Sequence, residues 1–166
     1  MAGSRDERTR DDPSAPDRRG KPRPGGISID DEGHFLVHGE PVTHARTLEV
    51  LWSSLARRAD GTWQVSVGRE SADVAIAATP WVVRGVLPSA SGLSLFLSDG
   101  SSEPLDPATI RVGKDGVLRC TLRSGHPARF GRAAQIALGE RLEEDGSAPS
   151  GFRLEISGRA WPLGSE

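Results

Sequence analysis

Residues 39–67 read GEPVTHARTLEVLWSSLARRADGTWQVSV, and this stretch decides the architecture. Gly39-Glu40-Pro41 closes an extended segment, Gly33–His38, because Gly and Pro punctuate regular structure. Leu48, Leu51, Trp52 and Leu55 then fall at i, i+3, i+4 and i+7, which puts one apolar stripe on a helix. Thr43 is the expected N-cap. Arg57 and Arg58 sit at the expected C-terminal end, where cations oppose the helix dipole, and Asp60-Gly61 stops the helix. Trp63, Val65 and Val67 alternate with polar residues, the pattern of a half-buried strand.

The same plan returns in residues 125–156, GHPARFGRAAQIALGERLEEDGSAPSGFRLEI. Gly125-His126-Pro127 lies 86 residues after Gly39, and Asp145-Gly146 lies 85 after Asp60. Between them Phe130, Ala133, Ala134, Ala137 and Leu138 form a second helical stripe; beyond them Phe152, Leu154 and Ile156 alternate as a strand. Each turn signal alone is common, but their order and near-constant offset predict an internal duplication. Between the two units the chain is β-rich. Trp81–Leu87 is a β-branched run entered through Pro80, Leu93–Leu97 follows, and 110–122 reads as a hairpin around Lys114-Asp115-Gly116. Residues 99–109, with Pro104 and Pro107, read as a loop. The expected fold is α+β with mostly antiparallel sheet, in two strand–helix–strand halves over 27–78 and 79–166 that form one compact unit.

Residues 1–26 stand apart. Their only apolar residues besides Gly and Pro are Met1, Ala2 and Ala15, so the segment cannot offset its ordering entropy and is expected to be a disordered tail. The chain has 166 residues and a formal net charge of −2, which argues against general nucleic-acid binding. Nineteen of the 21 basic residues are arginine, the mark of a GC-rich coding sequence before any recognition role. No apolar run approaches a membrane span, and MAGSRDERTRDD carries no apolar signal region, so a soluble cytoplasmic protein is expected.

Chemistry is sparse. His34 and His38 share a strand face roughly 13 Å apart, too far for one metal ion. His44 opens a helix and His126 lies in a turn, and no pair has metal-ligand spacing, so neither metal nor cofactor is expected. Cys120 alternates with Leu118 and Leu122 and reads as a small buried hydrophobe. No nucleophile elbow, dinucleotide fingerprint or phosphate loop is present, and no catalytic residue is assigned. Trp52 and Trp63 read as core; Trp81 and Trp161, beside prolines at strand edges, are candidates to line a cleft.

Five segments, taken together, resemble a bacterial family of "domain of unknown function" proteins. They are Asp31–His44, Leu55–Val67, Val74–Val82, Ala128–Ala133 and Trp161–Gly164, in the family's order over about residues 27–164. Ala77-Ala78 stands where the family carries an acidic pair, and Ile136 where it carries an aromatic. The resemblance implies a duplicated α+β core, a C-terminal half superficially like a pleckstrin-homology domain, and a ligand or partner site between the halves, in signalling. On that reading the candidates are Thr43, His44, Trp81, Arg129, Arg132 and Trp161, taking a small anionic ligand or a protein partner, with no membrane role. Two alternatives stand beside it: an enzyme using His44 and nearby arginines, and a protein–protein scaffold module. The absence of any paired acid and base favours the non-enzymatic reading.

Overall fold

The computed structural model describes residues 26–166; the tail expected over 1–26 lies outside them except for Gly26. The first half runs β1 (Ile27–Ile29), β2 (Phe35–Val37), β3 (Glu40–Pro41), α1 (Ala45–Ser54), β4 (Ala56–Arg57), β5 (Trp63–Val67) and β6 (Glu70–Ile76). A meander follows: β7 (Trp81–Ser89), β8 (Gly92–Leu97) and β9 (Ser102–Pro104). Then come β10 (Arg111–Val112), β11 (Leu118–Thr121), β12 (Pro127–Phe130), α2 (Arg132–Gly139), β13 (Leu142–Glu144), β14 (Phe152–Ile156), β15 (Arg159–Pro162) and β16 (Gly164–Ser165). The fold is mixed α+β, dominated by sheet, with two α-helices among the described residues.

Among the described residues the strands form three sheets. The first sheet runs β3-β2-β1-β6-β5-β4, with β1 antiparallel to β2 and parallel to β6. In the second half β10 is antiparallel to β11 and parallel to β16, and β13, β14 and β15 form a separate antiparallel sheet. Only Leu163 separates β15 from β16, so the C-terminal segment passes from one sheet to another. Within the second half the meander joins the strands that follow it through a parallel pairing of β7 with β12; most other pairings are antiparallel.

Apolar alternation, together with the continuous buried run Trp81–Val83 at the start of β7, accounts for the core. Val65, Val82, Val83, Leu95, Phe130, Leu154 and Leu163 are all nearly fully buried, as are Ile29 and Phe35. Leu51 is the buried centre of the α1 stripe, and Ala134 and Leu138 bury the α2 face. Short Asp-Gly-Ser/Thr turns join the strands. In each, the Asp Oδ1 of Asp60, Asp99 or Asp145 accepts both the N–H and the hydroxyl of Thr62, Ser101 or Ser147.

Several sequence expectations shift. The N-cap of α1 is His44, not Thr43, and its Nδ1 accepts the Thr47 N–H at 3.4 Å. The helix ends at Ser54, before Arg57 and Arg58, because the chain there enters β4 and pairs with Gln64 and Trp63. The strand expected at Gly33–His38 begins at Phe35, since Asp30 draws Glu32 and His34 into a turn. Phe130 belongs to β12 and not to the second helix, because β12 pairs with β7 as far as Val83. Arg129 therefore lies on a strand. Residues 99–109 contain β9 and a short 3₁₀ turn, Pro107–Thr109, in place of a plain loop.

Cys120 is buried, and burial, with Glu103 nearby, pushes its thiol up to about 12. The folded protein should therefore leave a disulfide reagent unreacted near neutral pH, while the denatured chain consumes one equivalent. Fast reaction of the native protein would place Cys120 at the surface.

Candidate functional site

The site is built on a turn. Asp30 Oδ1 accepts the N–H groups of Glu32 and His34 at 3.0 and 2.8 Å, and its Oδ2 meets His34 Nδ1 at 3.2 Å. This fixes Asp30–His34 as a rigid projection from the first half. Gly33, at its tip, has φ +80° and lies where an added Cβ would stand 2.7 Å from Ser98 Cβ and 3.0 Å from Val82. Only glycine combines that backbone with that approach. The projection is thus seated directly on the second half, and Arg84 Nη2 makes a long contact of 3.5 Å to the Gly33 carbonyl.

Opposite the projection stands the first turn of α2. Gly131 is its N-cap, with no side-chain cap, and its N–H donates to the Val83 carbonyl at 2.9 Å. A Cβ there would meet Val82 and the Val83 carbonyl at 3.2 Å, so glycine lets the helix start against β7. Between projection and helix runs an open groove of about 560 Å³, lined by Glu32 and His34 on one side and Gly131, Arg132, Ala133 and Ile136 on the other, with Val82 and Arg84 between. A second hollow of about 430 Å³ adjoins it across Glu32, Arg132 and Ile136 and reaches Arg129 and Gln135.

The groove is apolar at its floor and charged at its rim. Val82 is buried there, while Ile136 is 57% exposed. Among the described residues neither Arg84, Arg132 nor Glu32 takes part in an ion pair. Arg129 is anchored by its own backbone: its N–H donates to Thr79 Oγ1 at 3.1 Å, and that hydroxyl donates to the Trp81 carbonyl at 2.8 Å. Its guanidinium reaches Asp31 only at 3.9 Å, and its Nε is buried without a partner.

The six sequence candidates do not line one concavity. Arg129 and Arg132 line the second hollow together. Thr43 and His44 start α1 and do not line the groove. Trp161 lies on β15 under the Arg159 guanidinium, 4.0 Å from the ring centre. Trp81 sits in an aromatic cluster that clamps the two halves: it stacks on His126 at 4.9 Å and meets Trp52 and Trp63 at 5.9 and 5.7 Å. Its indole N–H donates to Asp99 Oδ2 at 2.9 Å. Glu143 pairs with Arg153, not with Arg129 or Arg132.

Sequence reasoning passed over Glu32, His34, Arg84 and Gly131. Two signals were available: Arg84 is the sole charge inside the Trp81–Leu87 run, and Gly131 interrupts the apolar pattern just before α2. No group of three or more His, Cys, Asp or Glu converges among the described residues, and no helix there is long and apolar enough to cross a membrane.

Groove, projection and clamp describe a small three-sheet α+β protein whose halves are pinned together beside an open, charged cleft. Its fold is that of solved DUF1285 proteins, a bacterial domain-of-unknown-function family. The DUF1285 family protein from Silicibacter pomeroyi DSS-3 is similar with a TM-score of 0.65 at 19% identity, over 84% of this chain and 79% of that one. The one from Shewanella baltica OS155 is similar with a TM-score of 0.55 at 17% identity, over 69% of this chain and 90% of that one. No family model and no curated protein matches the sequence.

Outside the site, Arg119 holds the Asp115 carboxyl down at about 2 through a hydrogen bond, and Thr62 and Ser147 likewise lower Asp60 and Asp145. A carboxylate depressed on folding stabilises above its unfolded value, about 4, and loses that contribution as pH falls through its folded value. Urea midpoints should therefore decline as pH drops from about 4 toward about 2, and Asp115→Asn should flatten that decline. An unchanged slope in the variant would contradict the assignment.

Proposed function

We propose that this protein is a non-enzymatic binding protein that holds a small ligand or a partner segment in the groove between its halves, in a cytoplasmic regulatory or signalling role. The observation that carries the reading is the groove itself: its two walls come from opposite halves, and the close seating of Gly33 fixes their spacing. Pockets at such joints are common binding sites because two surfaces can close on one ligand. The matching strand order around α1 and α2 supports reading the halves as copies of one ancestral unit. The likeness of the C-terminal half to a pleckstrin-homology domain rests on the family resemblance and on a seven-stranded sheet carrying one helix. Against the enzyme alternative, His44 lines neither hollow of the groove, and its Nδ1 meets Thr47, not a carboxylate.

A thermal-shift screen of the full chain against nucleotides and common metabolites tests the reading. A ligand that binds only the native state raises Tm by mass action. Ile136→Trp, which fills the groove from an exposed position, should abolish the shift for any true ligand. Hits that stabilise wild type and variant equally would move the site elsewhere.

A further inference from the structure

The geometry points to a small-molecule oxyanion, phosphate or carboxylate, as the charged part of the groove's ligand, held by Arg84 and Arg132 with the apolar part on Val82 and Ile136. This rests on the groove being the binding site. Three arginines from three elements reach the two adjoining hollows: Arg84 from β7, Arg129 from β12 and Arg132 from α2. A surface arginine is ordinarily solvated or paired, but here the pairing is incomplete on every count. Arg84 and Arg132 have no carboxylate partner among the described residues, Arg129 meets Asp31 only at the limit of an ion pair, and the Arg129 Nε is buried and unsatisfied.

Glu32 lines both hollows and could have neutralised Arg132, yet among the described residues it forms no ion pair. Among the described residues the donors of Arg84 and Arg132 are left uncommitted apart from the long Arg84 contact to the Gly33 carbonyl, and guanidinium forks match the planar or tetrahedral oxygens of carboxylate and phosphate. The first turn of α2 lines the same groove, and its positive dipole end adds to this without being required for it. Glu32 restricts the choice: a compact polyanion would be repelled by it, whereas a ligand with one oxyanion and a hydrogen-bond donor facing Glu32 suits both walls.

The test uses the full chain labelled with nitrogen-15, titrated with inorganic phosphate, acetate and citrate, and with glucose and benzyl alcohol as uncharged probes. The amide signals of residues 131–134 and the Nε–H signals of Arg84 and Arg132 are followed. Expected are saturable shifts at those signals with phosphate or a carboxylate. Affinity should be weakened roughly tenfold or more in Arg84→Gln/Arg132→Gln, since each lost charged hydrogen bond is worth about that factor. Both side chains are exposed, so the variant should keep the native spectrum elsewhere. Phosphate against acetate separates the two oxyanion sources, and citrate should bind less well than acetate because of Glu32. Anion shifts that persist undiminished in the double variant would overturn the assignment to these arginines. Groove shifts with the uncharged probes alone would overturn the oxyanion class and leave the groove as the site. No groove shift with any probe would overturn both.

Discussion

Trp81→Ala is expected to lower the unfolding free energy by about 3–5 kcal/mol, the range for removing a buried large aromatic. The residue is 9% exposed and touches three rings, with Trp52 and Trp63 contributed by the first half and His126 by the second. Its loss would leave a cavity at the joint and strip Asp99 of the indole donor. Offset and edge-to-face ring pairs add to area burial, so Trp81→Phe should recover only part of the loss. Denaturant unfolding followed by far-ultraviolet circular dichroism measures both. A loss below about 1 kcal/mol, the scale of an ordinary surface change, would mean that the clamp does not hold the halves.

Gly33→Ala is the second large effect. A non-glycine residue in the left-handed region costs about 1–2 kcal/mol, and forcing an extra methyl into packed surroundings costs about 1–3 kcal/mol more. At Gly33 both apply, because φ is +80° and the new Cβ would stand 2.7 Å from Ser98 Cβ. The expected total is therefore about 2–5 kcal/mol. Because the strain falls between the halves, relaxation would lift the projection off β7 and widen the groove. Gly39→Ala is the control: φ there is +82° with nothing near the added Cβ, so it should show the backbone cost alone. Equal losses at the two positions would show that Gly33 makes no close approach that matters.

Much of the fold was legible in the sequence because it rests on local signals. The α1 stripe around Leu51, the alternation of β5 and β14, and the Asp-Gly turns are dictated by residues within a few positions of each other. Helix limits were less legible, because β4 takes over Ala56 and Arg57 by pairing with β5, a choice made by the sheet. The aromatic clamp was only half visible. Trp52 and Trp63 carried core periodicity, but nothing local tells that His126 will stack on Trp81, 45 residues away.

The candidate site was less legible, since of the six candidates only Arg129 and Arg132 line the two hollows. Arg129 and Arg132 were identified through the segment Ala128–Ala133, and both reach the joint. Thr43 and His44 were placed beside them by analogy between the two halves, yet α1 begins elsewhere. The wall that faces the arginines, Glu32 and His34, depends on the docking of a turn against Ser98 and Val82, a contact between segments more than 45 residues apart. Such long-range seating leaves no periodic trace in either segment. What remains readable is the glycine that permits it, in Asp31-Glu32-Gly33-His34.

The central claim is that ligands bind between the projection and the first turn of α2, and crystals of the full chain soaked with a chemically mixed fragment set test it most directly. The account predicts fragments lodged between Glu32 and His34 on one side and Gly131, Arg132 and Ile136 on the other. Fragments gathered instead in the hollow around Glu103, Leu105 and Arg123, or along the outer face of α1, with the groove empty in the same crystals, would contradict it.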